Sequence, residues 1–117
     1  MKFTLFAILS FGSLLIQGAP ILNKRTSGSA TFYEVGLGSC GKTNSDSEMV
    51  AALSADIMSK SKCGKSVNIK SSKGSVTVKV VDTCPGCGAT DIDLSPSAFK
   101  KLGSLSQGRI PVTWSIN

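Results

Sequence analysis

The sequence predicts a small, mainly β domain, either a compact barrel or a sandwich. Three features favour this class: several short segments alternate apolar and polar residues, glycine-containing turns separate them, and only two short stretches have helical spacing. Four cysteines accompany these segments in a chain of 117 residues. Because so small a domain buries only about 60 to 65 per cent of its unfolded surface, we expect covalent cross-links to support the core.

The N-terminal segment predicts export. Lys2 precedes an apolar run from Phe3 to Ile16, and the small residues Gly18 and Ala19 follow it. This order is typical of a secretory signal peptide, which we assign to residues 1–19. The run is shorter than the roughly twenty residues that a membrane-spanning helix needs. We therefore expect a secreted protein, located outside the cell or in the cell wall.

A dibasic pair follows the predicted signal peptide. Residues 20–25 end in Lys24-Arg25, which would suit a processing protease of the secretory pathway. We therefore expect a short propeptide at 20–25 and a mature domain at 26–117. A surface charge pair without a processing role is the alternative.

Charge and composition exclude several classes of function. The formal net charge is +6, and removal of residues 1–25 takes away three basic residues and no acidic one, which leaves +3. Lysines spread along the chain do not form a nucleic-acid-binding stripe. The absence of histidine excludes Ser–His and Cys–His catalytic pairs and removes the commonest metal ligand. We expect a monomer with no cofactor, no metal, no nucleic-acid partner and no membrane association after processing.

The first elements of the mature chain are predicted from alternation and from capping. Ser29–Val35 alternates and is rich in aromatic and branched residues, so it predicts a strand. A glycine-containing loop around Cys40 follows. Ser45-Asp46-Ser47-Glu48 has the form of a capping box, and apolar residues continue at helical spacing from Val50 to Ile57. This pattern predicts a short helix.

The second half of the chain predicts three more strands and another helix. Val67–Lys70 and Ser75–Val81 are expected to be strands joined by a turn, with the valines of the second strand facing one way. Ser95-Pro96 predicts an N-cap and a first helical position, and Gly103 a left-handed helix end. The last strand, Arg109–Ile116, carries its apolar residues on one face; Trp114 lies on that face and is expected in the core.

The motif Cys84-Pro85-Gly86-Cys87 has three interpretations. A redox Cys-x-x-Cys needs a helix directly after the pair, whereas here Gly88 follows. A four-thiolate zinc site needs a second close pair, but the other two cysteines are isolated in the sequence. Disulfides in an oxidising compartment are therefore favoured, although sequence arithmetic alone leaves three pairings open.

Three aspartates lie beside this motif. Asp82 ends a predicted strand, and Asp91 and Asp93 share strand parity just beyond the cysteines. Two of these carboxylates are placed to enter one groove, which makes a shared functional site a hypothesis. The alternative is that the last aspartate only prepares the following helix start.

Four stretches carry a resemblance to a known superfamily: ATFYEVGLGSCG, KCGK, VKVVDTCPGCGATDIDLSPSAFKKLG and GRIPVTWSI. In this order they resemble the double-psi β-barrel superfamily, which includes expansin first domains, barwin-like plant defence proteins, the rare-lipoprotein-A type and small secreted fungal relatives. The similarity spans Ser29 to Ile116. It implies a six-stranded double-psi β-barrel with two short helices and a polysaccharide groove across one side.

The resemblance also implies which residues line that groove. In expansins the groove is associated with a threonine of the first strand and two aspartates. By motif position these are Thr31, Asp82 and Asp93 in this sequence. Tyr33 lies near the motif position of an aromatic residue that often lines the groove in these relatives. Where some expansins carry a tyrosine, this chain has Cys84, so that aromatic sugar contact is missing.

Relatives with matching cysteines imply two disulfides, Cys40–Cys63 and Cys84–Cys87. Each would pin a loop, and a cross-link of this kind contributes about 2 to 4 kcal/mol through the unfolded ensemble.

The same resemblance bears on catalysis. Endoglucanases with this barrel invert configuration and need one carboxyl as general acid and a second as base. Asp93 matches the acid, but the residue at the matching base position is Val35. Glu34 is adjacent and would point to the opposite face of a strand. Hydrolysis is therefore disfavoured, and Asp93 is a candidate catalytic acid only for chemistry of the lytic transglycosylase type, which needs no external base.

These observations lead to one function hypothesis and two alternatives. We expect a secreted, expansin-like, non-hydrolytic protein that binds or loosens cell-wall polysaccharide. The first alternative is an inhibitor of secreted cysteine proteases, which would use the loop Gly36–Gly41 instead of the groove. The second is a wall enzyme of the lytic transglycosylase type.

Overall fold

The computed structural model describes residues 25–117, which form a closed barrel of six strands. The predicted signal peptide and all of the predicted propeptide except Arg25 lie outside these residues. The strands are β1 (Thr26–Phe32), β2 (Val50–Ser54), β3 (Ser66–Lys70), β4 (Ser75–Cys84), β5 (Ile92–Leu94) and β6 (Ile110–Ile116). Helix α1 spans Pro96–Lys100, and two 3-10 turns lie at Lys60–Lys62 and Leu105–Gln107. No helix in the described part of the chain is sufficiently long and apolar to span a bilayer.

The order of the strands around the barrel is β1, β5, β2, β4, β3 and β6, and β6 pairs with β1 to close it. Two pairs, β1–β5 and β2–β4, are parallel. The other four pairs are antiparallel. This arrangement confirms the six-stranded closed barrel that the resemblance implied.

Alternating side chains fill the barrel interior. Buried residues from β3, β4 and β6 form one cluster with residues of β1, β2, β5 and helix α1. Phe99 of α1 is fully buried, and its ring centroid lies 4.9 Å from that of Phe32. Trp114 is 3% exposed, and its indole nitrogen donates a hydrogen bond of 2.9 Å to the carbonyl oxygen of Thr90. The predicted core position of Trp114 is therefore confirmed.

Two predictions in the first half of the chain are wrong. Strand β1 begins and ends three residues earlier than the predicted Ser29–Val35. The helix predicted from Val50 to Ile57 is instead strand β2, which lies between β4 and β5 with all five residues buried. A short run buried on both faces does not distinguish strand from helix by its periodicity. Glu48 still accepts a hydrogen bond from the Ser45 amide at 3.0 Å, but the contact closes a turn.

Helix α1 begins as predicted and ends differently. The Ser95 hydroxyl accepts a hydrogen bond from the amide of Ala98 at 3.2 Å, so Ser95 is the N-cap. Gly103 is not in the left-handed region, which contradicts the predicted helix end. A Cβ at Gly103 would lie 2.6 Å from Oε1 of Gln107 and 3.3 Å from Ile110. A side chain at position 103 would therefore have to displace the Gln107 amide, so the constraint there is packing and not the backbone angle.

The four cysteines form two disulfides, Cys40–Cys63 and Cys84–Cys87. This is the pairing that the resemblance implied. The first joins the loop after β1 to the segment before β3, and the second closes the short loop that follows β4. Because the sulfur atoms are bonded to each other, no thiolate is available for the redox or zinc interpretations of the Cys-x-x-Cys motif.

Candidate functional site

Four residues form a lateral row on the outside of the barrel, which we call the acidic row: Thr31, Asp93, Ala52 and Asp82. Thr31 of β1 pairs with Asp93 of β5, Asp93 pairs with Ala52 of β2, and Ala52 pairs with Asp82 of β4. The two carboxylates thus stand on either side of Ala52, which is itself buried. The neighbours of Ala52 along β2 belong to the core, so the row faces outward.

A β-bulge turns Asp82 outward. Along β4, Val78 and Val80 face the core, and strict alternation would place Asp82 on the same inner face. The register shifts between Ala51 and Ala52, so that Ala51 pairs with Val80 but Ala52 pairs with Asp82. Val81 is the extra residue. Bulges change the direction of a side chain in this way, and here the bulge brings a carboxylate to the surface instead of burying it.

The loop after β1 holds Asp82 in place. Oδ1 of Asp82 accepts hydrogen bonds from the backbone amides of Ser39 and Thr83, each at 2.8 Å. The amide of Cys40 donates to the carbonyl oxygen of Val81 at 3.2 Å. This close approach requires glycine at position 38, where a Cβ would lie 2.3 Å from the Val81 carbonyl oxygen and 3.2 Å from Cβ of Asp82. The orientation of Asp82 therefore depends on the loop.

Asp93 is partly shielded from water, and its hydrogen-bond partner is an uncharged hydroxyl group. The hydroxyl of Thr31 donates a hydrogen bond of 2.7 Å to Oδ1 of Asp93. Burial raises the pKa of the Asp93 carboxyl, and the charge of Asp82 raises it further, whereas the Thr31 hydrogen bond and the positive charge of Arg109 act in the opposite direction. Asp93 therefore retains its proton to a higher pH than an exposed aspartate.

Asp91, the third aspartate of the motif, has a structural role. Its Oδ1 accepts a hydrogen bond from the amide of Ser29 at 3.0 Å, and its Oδ2 lies 3.6 Å from the guanidinium of Arg109. These contacts tie β5 to β1 and to the start of β6. Asp91 is thus not part of the acidic row.

Tyr33 lies next to the row, just after the end of β1. Burial raises the pKa of its phenol to about 12, with further contributions from the negative charges of Asp82, Asp93 and Asp46. The hydroxyl oxygen is buried and makes no hydrogen bond. A buried polar group without a partner costs about 1 to 3 kcal/mol, so a ligand hydroxyl that reached it would recover this loss.

Asp46 is a neighbour of the site that the sequence did not reveal. It lies in the predicted capping box, but its Oδ1 accepts a hydrogen bond of 2.8 Å from the amide of Val35. The structure thus brings an exposed carboxylate beside the position where the endoglucanases are expected to carry their base. No local pattern could show this contact, because a non-helical loop makes it.

The Cys84–Cys87 disulfide borders the row. The two sulfur atoms and a carboxylate oxygen of Asp93 all lie within 4.8 Å of one another. The disulfide therefore provides an apolar wall next to Asp93, at the place where some expansins are expected to present an aromatic ring. Since disulfide sulfurs are poor metal ligands, this cluster is better described as a wall than as a metal centre.

The comparisons with known proteins agree with this geometry. Residues 25–114 match the double-psi β-barrel family model described as lytic transglycolase. The chain is 40% identical over 97 residues to Allergen Asp f 7 of Aspergillus fumigatus, an alignment that covers 77% of this chain and 36% of the allergen. It therefore spans little more than a third of that relative.

Two solved structures share the fold. A mutant expansin of Clavibacter michiganensis in complex with cellohexaose has a TM-score of 0.73 and 32% identity, and the match covers 80% of this chain and 50% of the expansin. The Streptomyces papain inhibitor also has a TM-score of 0.73, with 31% identity, and the match covers 80% of this chain and 94% of the inhibitor. The barrel, its two disulfides and these similarities show that the chain belongs to the double-psi β-barrel family that contains the expansins.

Proposed function

We propose that the protein is a secreted, expansin-like protein that binds or loosens cell-wall polysaccharide without hydrolysing it. The acidic row is the observation that carries this proposal, with Tyr33 beside it. In this proposal residues 1–19 direct secretion, the barrel begins at Thr26, and the protein acts outside the cell or in the wall.

The row suits a neutral polymer rich in hydroxyl groups. Three strand spacings separate its ends, which corresponds to about 14 Å and is long enough to contact more than one sugar ring. Carboxylates are strong acceptors for sugar hydroxyls. Within residues 25–117 neither Asp82 nor Asp93 forms a salt bridge, although the charge of Arg109 acts on Asp93 from a greater distance.

We infer the absence of hydrolysis from Val35, the residue at the position where the endoglucanases are expected to carry their catalytic base. Val35 carries no side-chain group that can accept a proton, and Asp46, whose carboxylate accepts a hydrogen bond from the Val35 amide, is exposed. Asp93 has the raised pKa of a proton donor, but inversion also requires a base to activate water. The proposed role of Asp93 is therefore to bind sugar hydroxyls rather than to protonate a leaving group.

The test is binding to insoluble cellulose, chitin and peptidoglycan, with the wild-type protein and Asp93→Asn. We expect the substitution to reduce binding to the preferred polymer by about tenfold, since a hydrogen bond to a charged group contributes about 1.5 to 3 kcal/mol. Glu48→Gln is the matched control, because it removes the same charge from an exposed loop position outside the row. Equal binding by wild type and Asp93→Asn would contradict the proposal.

Product analysis in the same samples separates binding from catalysis. Non-hydrolytic action predicts no new reducing ends and no anhydro-sugar fragments. Reducing ends that disappear in Asp46→Asn would identify hydrolysis with Asp46 as the base. Anhydro-sugar fragments that disappear in Asp93→Asn, but persist in Asp46→Asn, would instead identify the lytic transglycosylase alternative.

A second candidate function, inhibition of a cysteine protease, is favoured by one surface feature. Leu37 is 76% exposed and is the one large apolar side chain exposed to this degree in the described part of the chain. It lies in a loop that the Cys40–Cys63 disulfide and a bridge between Leu37 and Thr43 hold in place. A rigid loop that presents an apolar side chain loses little entropy on binding.

Papain inhibition tests this candidate directly. If the loop inhibits, Leu37→Asp is expected to raise the inhibition constant at least about tenfold, since burying an unpaired charge at an interface is costly. Asp93→Asn should leave inhibition unchanged, because the loop contacts the row at Asp82, and strand β2 lies between Asp82 and Asp93. The absence of inhibition by the wild-type protein would eliminate papain-like proteases as partners.

A further inference from the structure

Arg25, the second residue of the dibasic pair, is bound to the outer face of the barrel. Its Nε donates to Oγ1 of Thr113 at 3.1 Å, and Nη1 donates to Oδ1 of Asn68 at 3.2 Å and to Oγ of Ser115 at 3.4 Å. Nη2 donates to the carbonyl oxygens of Asn68 at 3.0 Å and Thr113 at 2.9 Å. The side chain is half-buried.

The strand register builds this site. Thr26 pairs with Trp114, so Arg25 comes next to Ser115, and Ser115 pairs with Asn68 of β3. The Asn68 amide nitrogen donates to Oγ1 of Thr77 at 3.3 Å, which leaves its oxygen free to accept from Arg25. The acceptors therefore come from residues that β3 and β6 hold in position.

We propose that the Arg25–Thr26 bond is a conditional processing site, which a dibasic-specific endoprotease cleaves before the barrel closes and not afterwards. Such a protease must take the arginine side chain into its own acidic pocket and bind the flanking backbone in extended form. In the folded barrel, the guanidinium is already bound by five oxygen atoms, and the backbone from Thr26 onward is paired with β6. Cleavage then requires β1 to detach first.

Whether Arg25 is removed therefore depends on which comes first, folding or processing. A chain that meets the protease before it folds loses Arg25, and a chain that folds first keeps Arg25 as part of β1's attachment to the barrel. The inference depends only on the contacts of Arg25 and is independent of whether the acidic row binds polysaccharide.

The test compares cleavage of the native and unfolded protein. The full coding sequence is expressed in a secretion host that lacks its dibasic processing protease, so that Arg25 is retained. A purified Lys-Arg-specific endoprotease is then added to the native protein and to the reduced and alkylated protein. The product that begins at Thr26 is quantified by intact mass. We expect the native protein to be cleaved at least about tenfold more slowly, since cleavage must wait for local opening.

Variants of the binding site provide a second measurement. The double variant Asn68→Ala, Thr113→Val removes two of the five acceptors, Oδ1 of Asn68 and Oγ1 of Thr113, and leaves Arg25 itself in place. It should raise native-state cleavage severalfold. Thr43→Val makes a similar change in a loop far along the chain from this site and should have no effect. Circular dichroism melting confirms that each variant is folded.

Equal cleavage rates for the native and the reduced, alkylated wild-type protein would overturn the proposal. So would a folded double variant that is cleaved no faster than Thr43→Val. If the double variant does not fold, the comparison of the two wild-type forms decides the question alone.

Discussion

Replacing Gly38 with alanine should release the loop from Asp82. The added Cβ would lie 2.3 Å from the carbonyl oxygen of Val81, a distance at which the backbone must shift. That shift breaks the Ser39–Asp82 and Cys40–Val81 hydrogen bonds. A hydrogen bond to a charged group contributes about 1.5 to 3 kcal/mol and a neutral one about 1 kcal/mol, so we expect a loss of about 3 kcal/mol in the free energy of unfolding.

Urea unfolding and thermal melting measure this effect. For a domain of this size, about 3 kcal/mol corresponds to a decrease in Tm of at least about 12 °C. Gly36→Ala is the matched control in the same loop, because a Cβ at Gly36 meets no atom within 4 Å. The variant Gly38→Ala should also bind polysaccharide more weakly, since Asp82 loses its orientation. Equal stability of the two variants would refute the role assigned to this close approach.

Three further predictions concern the row and the cross-links. Tyr33→Phe should stabilise the free protein by about 1 kcal/mol in urea unfolding, because it removes a buried hydroxyl without a partner, and it should weaken polysaccharide binding. The raised pKa of Asp93 means that the folded state binds its proton more tightly than the unfolded state, so ionisation costs stability as pH rises through the folded pKa. The stability of Asp93→Asn relative to wild type should therefore be higher at pH 7 than at pH 3, and the opposite trend would contradict the assigned burial. Replacing Cys40 and Cys63 by alanine opens a loop of 23 residues and should cost about 3 kcal/mol in the same assay.

The sequence predicted much of the barrel for identifiable physical reasons. Alternating burial located β3, β4 and β6, since each of these strands has one face in the core and one in solvent. Strand β2 was missed because Val50–Ser54 is buried on both faces and carries no alternation. Its neighbours β4 and β5 are distant in the sequence, so only the closed fold determines its state.

The site was predicted less completely than the fold. Motif position brought Thr31, Asp82 and Asp93 together as candidates, and the structure places all three in one row. The residue types did not reveal how Asp82 reaches the surface, because alternation along β4 points it inward and only the bulge at Val81 reverses this. Asp46 was missed since its contact with the Val35 backbone depends on the path of the loop.

The central claim is that the acidic row binds polysaccharide, and amide chemical shifts measured during titration test it most directly. Soluble fragments of cellulose, chitin and peptidoglycan are added to labelled wild-type protein. We expect one of these polymers to shift the amides of Thr31, Ala52, Asp82 and Asp93 more than those on the opposite side of the barrel. Shifts confined to other surfaces, or no shifts with any of the three at saturating concentration, would contradict the claim.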